Sequence, residues 1–201
     1  QYYIGVYDKA RDRFIPEKHG RMSWVDNTYF APEALVDGKG RQIMWAWLTD
    51  NRSDELSYGW SGVYGLPRVL WLREDGELGM APVPELAQLR YNPVRPGLVK
   101  LTARPRPLSG INGLACEIQL RATGAAKGET GFYVRANGDL SEYTRIGYDH
   151  ARKQLVFDAT RGGKQGRPVV EAAPFSLAEG EPLEMNVFID NSVIEVYANQ
   201  R

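Results

Sequence analysis

The chain has 201 residues, 43% of them hydrophobic and 25% charged, which are ordinary globular proportions. Lys+Arg and Asp+Glu number 25 each, so the net charge is zero, which argues against a nucleic-acid partner that would draw on a basic excess. No run approaches 18 apolar residues, which argues against a membrane-spanning helix, and the single cysteine, Cys116, excludes an intrachain disulfide or a multi-cysteine metal site.

Short apolar runs bounded by turn pairs (Asp37-Gly38, Asp75-Gly76, Asn137-Gly138) give the rhythm of antiparallel sheet with tight hairpins. The opening Gln1-Tyr2-Tyr3-Ile4-Gly5 shows neither the charged region nor the cleavage site of a secretion signal and reads as the inside of a strand. Tyr2 to Tyr7, Tyr29 to Val36 and Gln42 to Leu48 follow as strands; the third is apolar at nearly every position and is expected to be buried on both faces. Gly62 to Leu72 adds a fourth, broken by Pro67, which suggests a bulge or an edge.

The character changes near residue 82. Pro84 fits a first helical turn, and Leu86 and Leu89 are spaced i, i+3, so Pro84 to Arg90 reads as one short helix. Pro93 and Pro96 then mark a tether. The organisation expected is residues 1–81, a linker over 82–96, and a second domain over 97–201. In that domain Leu114 to Ala122, Gly131 to Ala136, Tyr143 to Tyr148, Gln154 to Ala159, Glu184 to Asp190 and Val193 to Ala198 read as strands, whose spacing suggests a two-sheet sandwich. Met185, Val187 and Ile189 share one face, with Asn186 and Phe188 on the other. Leu114, Cys116, Ile118 and Leu120 alternate, which reads Cys116 as a buried thiol. His19 and His150 sit beside turn residues and read as solvated. No Gly-rich phosphate loop or metal-ligand spacing occurs, so no cofactor is expected.

Composition and periodicity stop at an all-β chain in two parts. Four ordered segments go further. Tyr29-Phe30-Ala31-Pro32-Glu33, Met44-Trp45-Ala46-Trp47-Leu48, Gly59-Trp60-Ser61-Gly62-Val63 with Leu66-Pro67-Arg68, and Phe188-Ile189-Asp190-Asn191-Ser192-Val193-Ile194-Glu195-Val196-Tyr197-Ala198-Asn199 together resemble glycoside hydrolase family 32, the invertases, levanases, inulinases and fructan hydrolases. Order and spacing agree over nearly the whole chain.

The resemblance implies a five-bladed β-propeller followed by a β-sandwich. A blade takes about 40 residues, so 81 residues supply one to two blades, and the chain is expected to be the C-terminal part of an enzyme acting on β-fructofuranosides such as sucrose, levan or inulin. Retaining glycosidases hold two carboxyl groups about 5–5.5 Å apart. The family carries its carboxylates in Asn-Asp-Pro-Asn-Gly, Arg-Asp-Pro and Glu-Cys motifs. None occurs here: Arg11-Asp12-Arg13 lacks the proline, and Cys116-Glu117 is the pair in reverse order. No residue is therefore assigned to catalysis, and the chain alone is expected to be inactive.

The resemblance leaves a pocket wall, with Phe30 in place of the family's pocket Tyr and Trp47 matching its pocket Trp. Ala46 replaces the usual Gly, and Glu33 the common Gln. For Trp47 two readings stand, core or sugar platform. Asp50, Asn51, Asp54 and Glu55 read either as a solvated loop or as a rim for fructosyl hydroxyls; Asp50 completes the candidate substrate-binding set with Trp47 and Phe30. Asn51-Arg52-Ser53 is a formal glycosylation sequon. The competing functions are a non-catalytic sugar-binding or assembly module and a fructosyltransferase of the same family. An incomplete propeller would leave strand edges open, so a second chain covering that edge is a possible partner.

Overall fold

In the computed structural model, residues 1–23, 28–50, 58–124, 128–163 and 168–201 are described. They are almost entirely strand and loop, and form two compact units: Gln1–Val83 with Gln200–Arg201, and Pro84–Asn199.

The first unit holds two open sheets. One is the hairpin β1 (Tyr2–Asp8) with β2 (Arg13–Gly20), whose register slips between Ile4 and Gly5 opposite Pro16. Pro16 has no N–H to give the ladder, and the slip accommodates it. The other runs β3 (Tyr29–Val36), β4 (Gln42–Leu48), β6 (Arg68–Leu72), β7 (Leu78–Pro82), with β5 (Val63–Tyr64) beside the end of β4. Every pair is antiparallel. Asp37 closes the β3–β4 hairpin: its carboxylate accepts from the Lys39 and Arg41 N–H groups and from Arg41 Nε at 2.8 Å. The interior place of β4 follows from its composition. Ile43, Met44 and Ala46 are buried, from both faces of the strand, as the apolar run predicts. The break at Pro67 is real and is a bulge: residues 65–67 stand opposite only Trp45 and Ala46, and β5 beyond it has β4 as its one partner among the described strands. It separates β5 from β6, and both pair with β4.

In the second unit Pro84–Leu89 is a 3-10 helix with no buried residue, and no regular element follows until β8 (Ala115–Ala122). Two open antiparallel sheets then form. One has the order β12-β11-β10-β9, from β9 (Glu129–Val134), β10 (Tyr143–Asp149), β11 (Gln154–Arg161) and β12 (Val170–Pro174). The other has the order β14-β13-β8, from β13 (Leu183–Asp190) and β14 (Val193–Ala198). One core joins them: Val134, Ile146 and Tyr148 from the first, Leu183, Met185, Val187, Ile189 and Ala198 from the second, and Phe175. Full burial of each Val, Ile, Leu, Met or Phe side chain among them is worth about 1.5–3 kcal/mol. The alternation in β13 is the one the sequence predicts, with Met185, Val187 and Ile189 inward; the strand starts one residue earlier, and Leu183 joins them. Cys116, Ile118 and Leu120 pack against this core, and burial raises the Cys116 thiol pKa. Leu114 does not join them; it lies outside β8 and is exposed.

Candidate functional site

The candidate site lies where β3 begins and β4 ends. Alternation puts Ile43, Trp45 and Trp47 on one face of β4 and Met44, Ala46 and Leu48 on the other. Trp47, one residue from the strand end, is 38% exposed. Its cross-strand partner is Phe30, 54% exposed, with ring centroids 6.5 Å apart at 64°, an edge-to-face contact.

Two local backbone devices hold the pair. Ala31 has φ +46°, in the left-handed region a residue with a Cβ rarely adopts, and the ladder skips from Phe30 to Glu33 across Ala31-Pro32. That bulge separates the register of Phe30 from the rest of β3. On the other side of β4, Gly62 has φ +72°, and a Cβ there would overlap the Trp47 indole at Nε1 and crowd the Leu48 carbonyl oxygen. The glycine closing Gly59-Trp60-Ser61-Gly62 is thus the floor on which the Trp47 ring lies.

Asp50 follows just beyond the same sheet end, half-buried, where the Thr49 N–H donates to the Thr28 carbonyl at 3.0 Å. The fold therefore brings Phe30 and Trp47 into ring contact and places Asp50 next in the chain beyond them. Asn51, Asp54 and Glu55 lie outside the described residues. On the reverse face, Arg68 is buried in β6 opposite Met44, with its guanidinium carbon 4.2 Å from the centroid of the Tyr29 ring and Nη1 donating to Met80 Sδ at 3.3 Å. Pro67-Arg68 thus supports the sheet end from behind, through a cation–π contact of about 0.5–2 kcal/mol.

Three carboxylates of the second unit are held in ion pairs with arginines. Glu117 accepts from Arg90 Nε at 2.5 Å and Nη2 at 2.7 Å, and from Gln119 at 3.0 Å. Burial alone would raise its pKa, but the bonds from Arg90, Asn186 and Gln119 outweigh it and hold the group below the ordinary carboxylate range. Arg145 bridges Glu129 on β9 and Asp158 on β11, each at 3.0 Å. Burial, with Asp149 and Asp158 adding, raises Glu129 against the pull of Arg145. Asp158 is held low: bonds from Thr160 and the charge of Arg145 outweigh its burial. Opposed shifts in a carboxylate pair can mark acid–base work, but here one guanidinium pairs with both groups. In the first unit, Asp12 sits in the β1–β2 turn and accepts from the Tyr7 hydroxyl.

His150 Nε2 lies 3.0 Å from Thr130 Oγ1, and His19 lies beside the Tyr3 ring, 6.0 Å between centroids. Among the described residues no group of three His, Cys, Asp or Glu side chains could hold a metal ion. A shallow cleft lined by Trp71–Asp75 lies at the far end of the sheet from Trp47, since β6 passes the start of β4 where Leu70 meets Gln42.

One further residue lies in line with this pair and is not singled out by the sequence. Tyr64, in the two-residue strand β5, stands directly opposite Trp47 and is 81% exposed. The sequence reads Gly62 to Leu72 as strand, but that Tyr64 faces Trp47 follows only from the pairing.

Comparison with known proteins places the chain in a family. The family model "Glycosyl hydrolases family 32 N-terminal domain" matches residues 1–82, and "Glycosyl hydrolases family 32 C terminal" matches residues 85–201. A fructan 1-exohydrolase of Bromus pictus is 40% identical over 98% of this chain, which spans 41% of that relative's length. A β-fructofuranosidase of Oryza sativa subsp. japonica (insoluble isoenzyme 4) is 39% identical over 47% of the chain and 18% of its own length. In fold, the chain is similar to the crystal structure of fructan 1-exohydrolase IIa from Cichorium intybus, with a TM-score of 0.80 and 22% identity over 99% of this chain and 46% of that one. With both family models matched in order along the sequence, the chain belongs to glycosyl hydrolase family 32.

Proposed function

We propose that this chain is the C-terminal part of a glycosidase that hydrolyses β-fructofuranosides, fructans in particular, by a retaining two-carboxylate mechanism whose carboxylates stand on a segment preceding Gln1. In this reading the antiparallel series β3-β4-β6-β7 is one propeller blade, the β1–β2 hairpin is part of another, and the two sheets of the second unit are a β-sandwich. Residues 1–82 supply one wall of the sugar pocket. Trp47 and Phe30 meet the apolar C–H face of a furanose, and the Asp50 carboxylate accepts from its hydroxyls.

The observation that carries the reading is the open face of Trp47. A tryptophan on an otherwise buried strand is expected to be enclosed, yet this ring lies at the sheet end, beside exposed Phe30 and over a glycine that makes room for it. Support for fructan as substrate comes from the fructan 1-exohydrolases among the relatives. The test is fructose release from 1-kestose, inulin and sucrose by two proteins: the 201-residue chain and the same chain joined to its natural upstream sequence. The longer protein is expected to release fructose and the chain alone none. Turnover by the chain alone, or none by the longer protein, would overturn the reading.

A further inference from the structure

The register of β3, β4 and β5 sets Phe30, Trp47 and Tyr64 in one line: Phe30 opposite Trp47, and Trp47 opposite Tyr64. Directly opposed residues of antiparallel strands present their side chains on the same face. Two inter-strand steps make the row roughly 10 Å long. All three rings are solvent-accessible, and exposure is greatest at Tyr64, 81%.

The three side chains differ in polarity. Phe30 has no polar atom. The indole Nε1 of Trp47, its one donor, lies against the backbone at Gly62. The Tyr64 hydroxyl is therefore the outward polar group of the row, and it makes no hydrogen bond to the described residues. The chain on either side of it is fixed: Val63 pairs with Leu48, and the Gly65 N–H donates to the Ala46 carbonyl at 2.9 Å. An aromatic of this exposure, in line with two others, is not enclosed by the described residues.

We infer that Tyr64 is a third substrate-contacting residue, which stacks on the sugar unit next to the one at Trp47 and orients it through a hydrogen bond from its hydroxyl to a sugar hydroxyl. The inference rests on the reading of Trp47 and Phe30 as a sugar-pocket wall. It makes the row a two-unit platform, which favours oligosaccharides over a single fructose.

The test is titration of the 201-residue chain with 1-kestose, with maltotriose as the control sugar, followed by tryptophan fluorescence and by saturation-transfer NMR. Tyr64→Phe keeps the ring and removes the hydroxyl; Tyr64→Ala removes both. We expect Tyr64→Phe to weaken 1-kestose binding about three- to tenfold, the effect of one hydrogen bond, and Tyr64→Ala to weaken it further. Urea midpoints of both variants should match the parent, because the side chain is exposed. If both Tyr64 variants bind as the parent does while Trp47→Ala does not, the inference on Tyr64 fails and the pocket wall stands. If the unaltered chain does not prefer 1-kestose to maltotriose, the pocket-wall reading falls and takes Tyr64 with it.

Discussion

Gly62→Ala tests the placement of Trp47 from the opposite side. At φ +72° an alanine costs about 1–2 kcal/mol through its own Cβ. That Cβ would also overlap the Trp47 indole, and forcing a packed ring aside costs about 1–3 kcal/mol more. The second cost requires the ring to be present. In a Trp47→Ala background only the backbone penalty and the crowding of the Leu48 carbonyl remain. A double-mutant cycle should therefore give a coupling of about 1–3 kcal/mol between positions 47 and 62. Urea unfolding followed by tryptophan fluorescence reads it selectively: all five tryptophans (24, 45, 47, 60 and 71) lie within Gln1–Val83, so the signal reports the first unit, and four remain in the Trp47→Ala variants. If Gly62→Ala costs the same with and without Trp47, the ring does not lie over residue 62 and the account of the site is wrong.

Met185→Ala, at a core position of the second unit, should destabilise that unit by about 2–5 kcal/mol and leave the tryptophan-monitored transition in place; a coincident shift of both transitions would contradict independent units. Two glutamates should give opposite pH dependences. Glu117 is held below its unfolded pKa, so the stability it adds is present above about pH 4.5 and is lost as pH falls through its folded pKa; Glu117→Gln should flatten the acid limb of a stability–pH curve. Glu129 is raised, so its ionisation costs stability as pH rises through its folded pKa, and Glu129→Gln should remove a loss on the neutral side. Matching slopes in the two variants, measured by urea midpoints between pH 3 and 7, would refute both assignments.

What the sequence reveals and what it hides divides along strand position. β4 is legible because an interior strand is apolar on both faces, and β13 because one face meets a core and the other does not. The three strands missed by pattern, β2, β7 and β12, each contain a proline (Pro16, Pro82, Pro174), and each lies at the margin of its sheet. A marginal strand needs partners on one side only, so it tolerates proline and polar residues that would argue against an interior strand. β2 is exposed at nearly every residue and exists through its pairing with β1. In the candidate site, Trp47 and Phe30 are singled out through family resemblance; periodicity alone reads Trp47 as core. Neither signal could find Tyr64, because its place in the row depends on which residues face each other across strands.

The most direct test of the central claim is Trp47→Ala in the chain joined to its natural upstream sequence, with kcat/KM for 1-kestose and stability measured on the same preparation. A fully enclosed tryptophan loses about 3–5 kcal/mol on truncation; with 38% of its surface already open, Trp47 should lose about 2–3 kcal/mol, too little to unfold the enzyme under assay conditions. If Trp47 lines the sugar pocket, kcat/KM of the folded variant falls at least about tenfold, a loss of about 1.4 kcal/mol or more in transition-state stabilisation. An unchanged kcat/KM in the folded variant, with stability reduced by the full amount expected of a core tryptophan, would contradict it.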